Sequence, residues 1–102
     1  MSDKTSGQPT TSVRFARSAT RHRIPKDSTR YVIAHCGLRF RQHPSEGEVH
    51  DARLVYLGDD ADGRQLEIMA VEVAEGDLLV IHAMPLRDKY RPQYEEAKKW
   101  RL

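Results

Sequence analysis

Three segments rich in apolar and β-branched residues occupy the second half of the chain, at Arg53–Gly58, Gln65–Val73 and Leu78–Met84. The intervening segments, Asp59–Gly63 and Ala74–Asp77, carry the glycine and aspartate residues typical of hairpin loops. Strands joined by such short loops pair in antiparallel fashion with their chain neighbours. The pattern therefore predicts a three-stranded antiparallel meander with helices packed against it.

A helix is predicted before the meander. Pro25 breaks any helix that would run through it, so the helix should begin near Lys26 or Asp27. Asp27 or Ser28 can cap its free backbone N–H groups. Gly37 is a natural stop at its other end.

The remaining segments predict shorter elements and one more helix. Val13–Ala16 suits an extended entry, and Ser18–Arg23 suits a turn or short helix. Leu38–Gln42 alternates apolar and basic residues and favours a short edge strand. His43–Asp51 has loop composition. A final basic helix should run from Asp88 to about Trp100, with Asp88 as its cap.

The sequence thus predicts an α+β domain with N-terminal helices, a three- to four-stranded antiparallel sheet and a C-terminal basic helix. Residues 1–12 contain no apolar residue after Met1 and are predicted to form a disordered tail, which leaves residues 13–102 as one domain. The single cysteine, Cys36, fits a reducing compartment. The longest apolar run, Leu78–Ile81, is too short to span a membrane, and a cytoplasmic location is expected.

Charge is distributed unevenly along the chain. Residues 1–45 hold nine Lys/Arg and two acids, residues 46–77 hold two and ten, and residues 78–102 hold six and three. If the two basic ends meet in space, they form a cationic surface of the kind that binds phosphate backbones. The alternative is that these charges only solvate exposed faces.

The two hairpin loops predict which side chains are neighbours. A four-residue loop at 74–77 pairs Val73 with Leu78 and therefore Met69 with His82. A tight loop at 59–63 pairs Leu57 with Leu66 and therefore Tyr56 with Glu67. One face is then almost wholly apolar and should pack on the first long helix: Val55, Leu57, Leu66, Ile68, Ala70, Leu79, Ile81 and Ala83. The opposite face carries Leu54, Tyr56, Glu67, Met69, Val71, Val80, His82 and Met84.

On this second face, Tyr56, Glu67 and His82 should converge at one end of the sheet. His82 beside a carboxylate can act as a general acid–base, with its tautomer fixed by Glu67. Arg87 and its basic neighbours can stabilise charge on a phosphate. The alternative is a half-buried histidine that Glu67 satisfies for structural reasons.

The sequence contains other histidines and acidic residues that could form a site. His22 lies between Arg21 and Arg23 and is a second acid–base candidate, with an exposed histidine in a basic turn as the alternative. The aspartates at 59–63 lack the later bidentate glutamate of a calcium loop. The other histidines have no zinc-ligand spacing with each other or with Cys36, so neither a metal nor a cofactor is expected.

Three segments, 18–27 (SATRHRIPKD), 54–73 (LVYLGDDADGRQLEIMAVEV) and 78–90 (LLVIHAMPLRDKY), resemble BrnT-like toxins, which are related in fold to RelE ribonucleases. The resemblance covers about residues 18–90. Its most specific pieces are the turn at 19–22, the strand entry at Gly63 to Glu67, and the strand exit at His82 to Arg87.

The resemblance implies a RelE-like fold, RNA cleavage without a metal, and neutralisation by a cognate antitoxin, often of the ribbon-helix-helix type. Carried over by position, the expected catalytic residues are His22, Glu67, His82 and Arg87. The residues expected to contact RNA are Arg21, Arg23, Lys89, Tyr90 and Arg91.

Two hypotheses from different classes follow. The first is a ribonuclease-like toxin of a bacterial toxin–antitoxin pair. The second is a non-catalytic binding module. In that module the basic ends bind nucleic acid, or the face with Met69, Val71, Val80 and Met84 receives a partner helix or the chain's own C-terminal helix.

Overall fold

The computed structural model describes residues 12–36, 38–42, 53–73 and 76–99 and has an α+β fold with two α-helices and a five-stranded mixed sheet. The predicted tail therefore lies outside the described residues, apart from Ser12, and so do the predicted loop at 43–51 and the stop at Gly37. The elements, in chain order, are β1 (Val13–Phe15), α1 (Lys26–His35), β2 (Leu38–Gln42), β3 (Arg53–Asp59), β4 (Gln65–Glu72), β5 (Leu78–Pro85) and α2 (Arg91–Lys99), with 3₁₀ helices at Arg17–Thr20 and Asp88–Tyr90.

The meander is present as predicted, with β4 between β3 and β5 and with β2 on the outer side of β3. All of these strands pair in antiparallel fashion. The helix predicted from Lys26 and the basic C-terminal helix are also present. None of the helices within the described ranges has the length and apolar character needed to cross a membrane.

The sheet contains one strand, β1, that was not part of the predicted antiparallel sheet. It pairs with β5 in parallel, with Val13 opposite Leu78 and Phe15 opposite Val80. The backbone N–H of Leu78 also donates to the carbonyl of Ser12 at 2.9 Å, so chain pairing begins inside the segment predicted as a tail. Because a parallel pair joins segments far apart in sequence, no local turn signal announces it.

The helix caps differ from the predicted ones. Pro25 occupies the N-cap position of α1 and provides no side-chain cap. The carboxylate of Asp27 instead accepts a hydrogen bond from Arg30 at 3.2 Å. At the other predicted cap, Asp88 opens a 3₁₀ helix whose N-cap residue, Arg87, makes no side-chain cap hydrogen bond. Helix α1 therefore depends on packing against the sheet more than on a side-chain cap at its N-terminus.

The β4–β5 register matches the prediction at one position and departs from it beyond a bulge. Met69 pairs with His82, as predicted. An irregularity between Met69 and Ala70 then shifts the register, so that Glu72, and not Val73, lies opposite Leu78. A bulge inserts one extra residue and cannot be located from alternation alone.

The β3–β4 register is one residue away from the predicted one. Leu66 pairs with Gly58, and Glu67 pairs with Leu57. Since side chains alternate between faces, this single step moves every β3 side chain to the face opposite the predicted one. The predicted approach of Tyr56 to Glu67 and His82 is therefore wrong.

Two apolar cores result, one on each face of the sheet. The α1 side combines residues of the helix and 3₁₀ turn with strand residues Leu54, Tyr56, Leu66, Ile68, Ala70, Leu78, Val80 and Ala83. The α2 side combines Leu86, Tyr90 and Tyr94 with Val55, Leu57 and Met69. The face predicted to receive a helix is thus divided: Val80 belongs to the α1 side, whereas Met69 lies in the α2-side core with Tyr90 and Tyr94.

Candidate functional site

A buried glutamate forms the centre of the candidate site. Glu67 lies in β4 between Leu66 and Ile68, which both point into the α1-side core. By alternation Glu67 therefore points to the α2 side of the sheet, where it is fully buried, with 0% of its surface exposed. A carboxylate in such a position costs several kcal/mol unless hydrogen bonds and an opposite charge compensate for its lost hydration.

Arg87 and His82 supply that compensation. The backbone N–H of Arg87 donates to Oε1 of Glu67 at 2.8 Å. Its Nε donates to Oε2 at 2.8 Å, and its Nη2 lies 2.6 Å from the same oxygen. Nε2 of His82 lies 3.0 Å from Oε2. The carboxylate therefore ties the end of β5 to the segment that leads into α2.

The charge state of Glu67 follows from these contacts. Burial by itself raises the pKa of the carboxyl group, but the side-chain and backbone hydrogen bonds of Arg87 and the hydrogen bond of His82 outweigh it. The pKa of Glu67 is consequently held below its ordinary value. Glu67 is thus a carboxylate at neutral pH, and it accepts hydrogen bonds without donating any.

The ionised carboxylate fixes the tautomer of His82. Because Glu67 only accepts, Nε2 of His82 must carry the proton in their 3.0 Å hydrogen bond. Nδ1 is then the nitrogen that can take or release a second proton. Burial lowers the pKa of His82 below its ordinary value, although the hydrogen bond and charge of Glu67 oppose this, and the charges of Arg87 and His22 add to the lowering. The ring is therefore neutral and basic at neutral pH.

His22 lies beside His82, although sixty residues separate them in the sequence. Their ring centroids are 6.1 Å apart, and the ring planes meet at 67°. The turn that carries His22 follows the first 3₁₀ helix, in which the hydroxyl of Ser18 donates to the carbonyl of Ile81 at 2.7 Å. Ala19 of the same helix is buried in the α1-side core. The structure thus brings His22, Glu67, His82 and Arg87 together in one cluster.

The two arginines that flank His22, which are predicted to contact RNA, are exposed. Arg23 has a positive φ of 59°. A side chain larger than glycine or asparagine is uncommon in this conformation. It nevertheless ends the turn here, where its N–H donates to the carbonyl of Thr20 at 3.1 Å.

The other three residues predicted to contact RNA occupy different environments. Tyr90 is only 4% exposed, and its hydroxyl donates to the side-chain carbonyl of Gln42 at 2.7 Å. Lys89 is exposed, with its ammonium 5.1 Å from the centre of the Tyr90 ring. Arg91 is partly buried and donates to the side chain of Gln65 at 3.1 Å. Lys89 is thus the most accessible of the three, while Tyr90 lies in the α2-side core.

Polar contacts that hold α2 on the sheet were missed by sequence reasoning. The hydroxyl of Tyr94 donates to Asp59 at 2.6 Å, and Lys98 donates to the same hydroxyl at 3.1 Å. Together with the Tyr90–Gln42 bond, they fix the helix that follows Arg87. The four-residue spacing from Tyr90 to Tyr94 is a helical-face signal, but nothing in the sequence identifies Gln42 or Asp59 as their partners.

No group of three or more His, Cys, Asp or Glu side chains within the described ranges is arranged to hold a metal ion. The chemistry that this cluster offers is proton transfer by two imidazoles next to a guanidinium group. Comparisons with known proteins add no assignment: no family model matches the chain, and neither a curated protein nor a solved structure does so. The resemblance to BrnT-like toxins stays a prediction.

Proposed function

We propose that the protein cleaves RNA without a metal, with His82 and His22 as the acid–base pair. The observation that carries this proposal is their 6.1 Å ring separation next to the Glu67–Arg87 pair. Two imidazoles at this spacing can address opposite sides of one phosphodiester. The exposed arginines on either side of His22 supply charge for the phosphate backbone.

In the proposed reaction, Nδ1 of His82 takes the proton of a ribose 2′-hydroxyl. The 2′-oxygen attacks the adjacent phosphorus, and the bond from phosphorus to the 5′-oxygen breaks. Protonated His22 donates its proton to the departing 5′-oxygen. The products are a 2′,3′-cyclic phosphate and a 5′-hydroxyl, and a proton exchange with water returns both histidines to their starting states.

Glu67 and Arg87 have different parts in this scheme. Glu67 is a positioning residue, because it fixes the tautomer and orientation of His82 and is itself fully buried. Arg87 keeps 39% of its side chain exposed while its guanidinium is bonded to Glu67. Its positive charge therefore lies close to the place where negative charge develops on the phosphate.

The proposed biological role is that of a ribonuclease-like toxin, held inactive by a cognate antitoxin that is often of the ribbon-helix-helix type. Induced expression of the wild type in a bacterial host is expected to arrest growth, and His82→Ala is expected to relieve the arrest at equal protein level. Continued growth with abundant, folded wild type would contradict the toxin role. Arrest by both proteins would remove His82 from it.

An assay with purified protein tests the proposed RNA cleavage separately from the proposed toxicity. Wild type incubated with RNA and a chelator is expected to cleave it, and His82→Ala and His22→Ala should each lower the rate about 100-fold or more. His35→Ala is the matched control, since His35 lies on α1 against Tyr31. Equal rates for the wild type and both site variants would contradict the proposal.

A non-catalytic nucleic-acid-binding module is the second candidate. One observation favours it: Glu67 is fully buried and bonded to Arg87 three times, as a purely structural ion pair would be. In that case RNA would bind without being cut, and Arg21→Ala with Arg23→Ala would weaken binding while His82→Ala would not. Cleavage lost in His82→Ala with binding retained would favour the catalytic proposal.

A further inference from the structure

A cavity of about 600 Å³ lies on the α1 side of the sheet, on the face opposite to the Glu67 side chain. One wall is formed by Arg30, Ile33 and Ala34. These residues are three and four positions apart and therefore lie on one face of α1. The sheet contributes Val13 and Leu78 from the paired strands β1 and β5. The volume is within the range of small-molecule sites.

The cavity combines an apolar floor with cationic walls. Leu78 is 6% exposed and belongs to the α1-side core, with Val13 and Ile33 packed against that core. Arg30 approaches from α1 and Arg39 from the neighbouring edge strand β2. Arg39 also hydrogen bonds to the side chain of Tyr56, which is only 3% exposed. Its guanidinium is therefore held at the wall.

The described charged side chains that line the cavity all have the same sign. The described residues that line it include two arginines and no carboxylate. Arg30 pairs at 3.2 Å with the carboxylate of Asp27, whose side chain is 96% exposed. An exposed pair of this kind contributes at most about 1 kcal/mol and yields readily to a competing anion.

We propose that this cavity binds a soluble small molecule that carries one anionic group, a carboxylate or phosphate, on a compact apolar body. The anion contacts Arg30 and Arg39, and the apolar part covers Leu78, Ile33 and Val13. Arginine suits the anionic end because its fork of N–H donors matches carboxylate and phosphate oxygens. This site is separate from the proposed catalytic cluster, so either one can fail without the other.

Octanoate and octanol are the first pair of probes, since they share a chain length and differ in charge. Titration of the purified protein, followed by amide chemical shifts, is expected to show octanoate binding with shifts confined to α1, β1 and β2. Octanol should bind at least tenfold more weakly, the order expected for loss of a charge-assisted hydrogen bond. Equal affinity for the two would overturn the proposal, as would inorganic phosphate that binds as tightly as octyl phosphate.

Two variants test the location. Arg39→Gln should weaken octanoate binding about tenfold, whereas Arg41→Gln, two residues along the same edge strand and paired with Glu72 at 3.5 Å, should not. Ala34→Phe should abolish binding by filling the cavity without a change in charge. Melting curves would establish that each variant is folded. Unchanged binding in folded Arg39→Gln and Ala34→Phe would overturn the assignment.

The single cysteine provides an independent readout. Cys36 lines the same cavity, so bound octanoate should slow the reaction of its thiol with a maleimide, and Ala34→Phe should remove the effect of octanoate. A labelling rate that octanoate leaves unchanged would contradict binding at this place. A lipid surface is the alternative ligand. If the protein sediments with phosphatidylglycerol vesicles in an Arg39-dependent manner and does not bind octanoate, the proposal of a soluble ligand is overturned.

Discussion

Two carboxylates of the β3–β4 hairpin are buried, and they are stabilised in different ways. Asp60 is 4% exposed and Glu67 is 0% exposed. Oδ1 of Asp60 accepts the backbone N–H groups of Asp62 at 3.0 Å and Arg64 at 2.8 Å, all within its own turn. Glu67 is instead bonded to two side chains that follow it by 15 and 20 residues.

Both carboxyl groups have a lowered pKa, for different reasons. Burial raises the pKa of each, and hydrogen bonds overcome it. For Asp60 the largest opposing effects are backbone N–H groups of its own loop. For Glu67 the largest is the side chain of Arg87. A carboxylate bonded to the backbone of its own turn stabilises that turn. A carboxylate bonded to partly exposed side chains, such as His82 and Arg87, can also influence proton transfer by those side chains.

The largest expected effect is the loss of Glu67. Glu67→Ala leaves the guanidinium of Arg87 and the Nε2–H of His82 without their buried acceptor, and the free energy of unfolding should fall by about 3–5 kcal/mol. Urea denaturation measures it, with Glu67→Gln as a control that keeps an acceptor and should lose less. A loss below about 1 kcal/mol for Glu67→Ala would show that the pair is not coupled to the fold.

The equivalent change in the loop should be smaller. Asp60→Ala removes a buried acceptor of two neutral backbone N–H groups and of the Ser28 side chain, so the free energy of unfolding should fall by about 1–3 kcal/mol. The proposed RNA cleavage should continue, because Asp60 contributes no group to the site. Loss of cleavage in folded Asp60→Ala would contradict the claim that only Glu67, of the two buried carboxylates, supports the site.

Acid should weaken the fold in two stages. The folded pKa of His82 lies below its ordinary value of 6.5, so the unfolded chain takes up this proton first and stability falls as the pH drops through the range below 6.5. The lowered pKa of Glu67 adds stability that is lost further into acid, as the pH passes through its folded pKa. Thermal melting against pH should show that His82→Gln removes the first stage, whereas the control His35→Gln retains it.

His22 should matter least for stability. Its side chain is exposed, and His22→Ala is expected to change the free energy of unfolding by less than about 0.5 kcal/mol while it lowers RNA cleavage sharply. Urea denaturation and the cleavage assay on one preparation separate the two effects. A large loss of stability in His22→Ala would show that His22, like Glu67, contributes to the stability of the fold.

The difference between the two carboxylates also shows what the sequence can predict. The loop around Asp60 is signalled by clustered aspartates and Gly63, whose φ is +83°. The meander and both helices are equally local patterns and were predicted. The parallel pairing of Val13 with Leu78 is not local, and only packing of the whole chain establishes it.

The candidate site was predicted in part for the same reason. Met69 was correctly paired with His82, so the diagonal contact from His82 to Glu67 followed from alternation. Tyr56 was placed beside them wrongly, because one extra residue in the β3–β4 pairing reverses the faces of β3. The hydrogen bond from the backbone N–H of Arg87 to Glu67 depends on the path of the chain after β5, and no residue pattern in the sequence predicts that path.

The most direct test of the central claim is the chemical identity of the cleavage products. Wild type would be incubated, with a chelator, with a DNA oligonucleotide that contains a single ribonucleotide, and the products analysed by mass spectrometry. Proton transfer by His82 and His22 predicts one cut, 3′ of the ribonucleotide, which leaves a 2′,3′-cyclic phosphate and a 5′-hydroxyl. Products with a 5′-phosphate, cleavage of the all-DNA control, or an intact substrate with folded protein would contradict it.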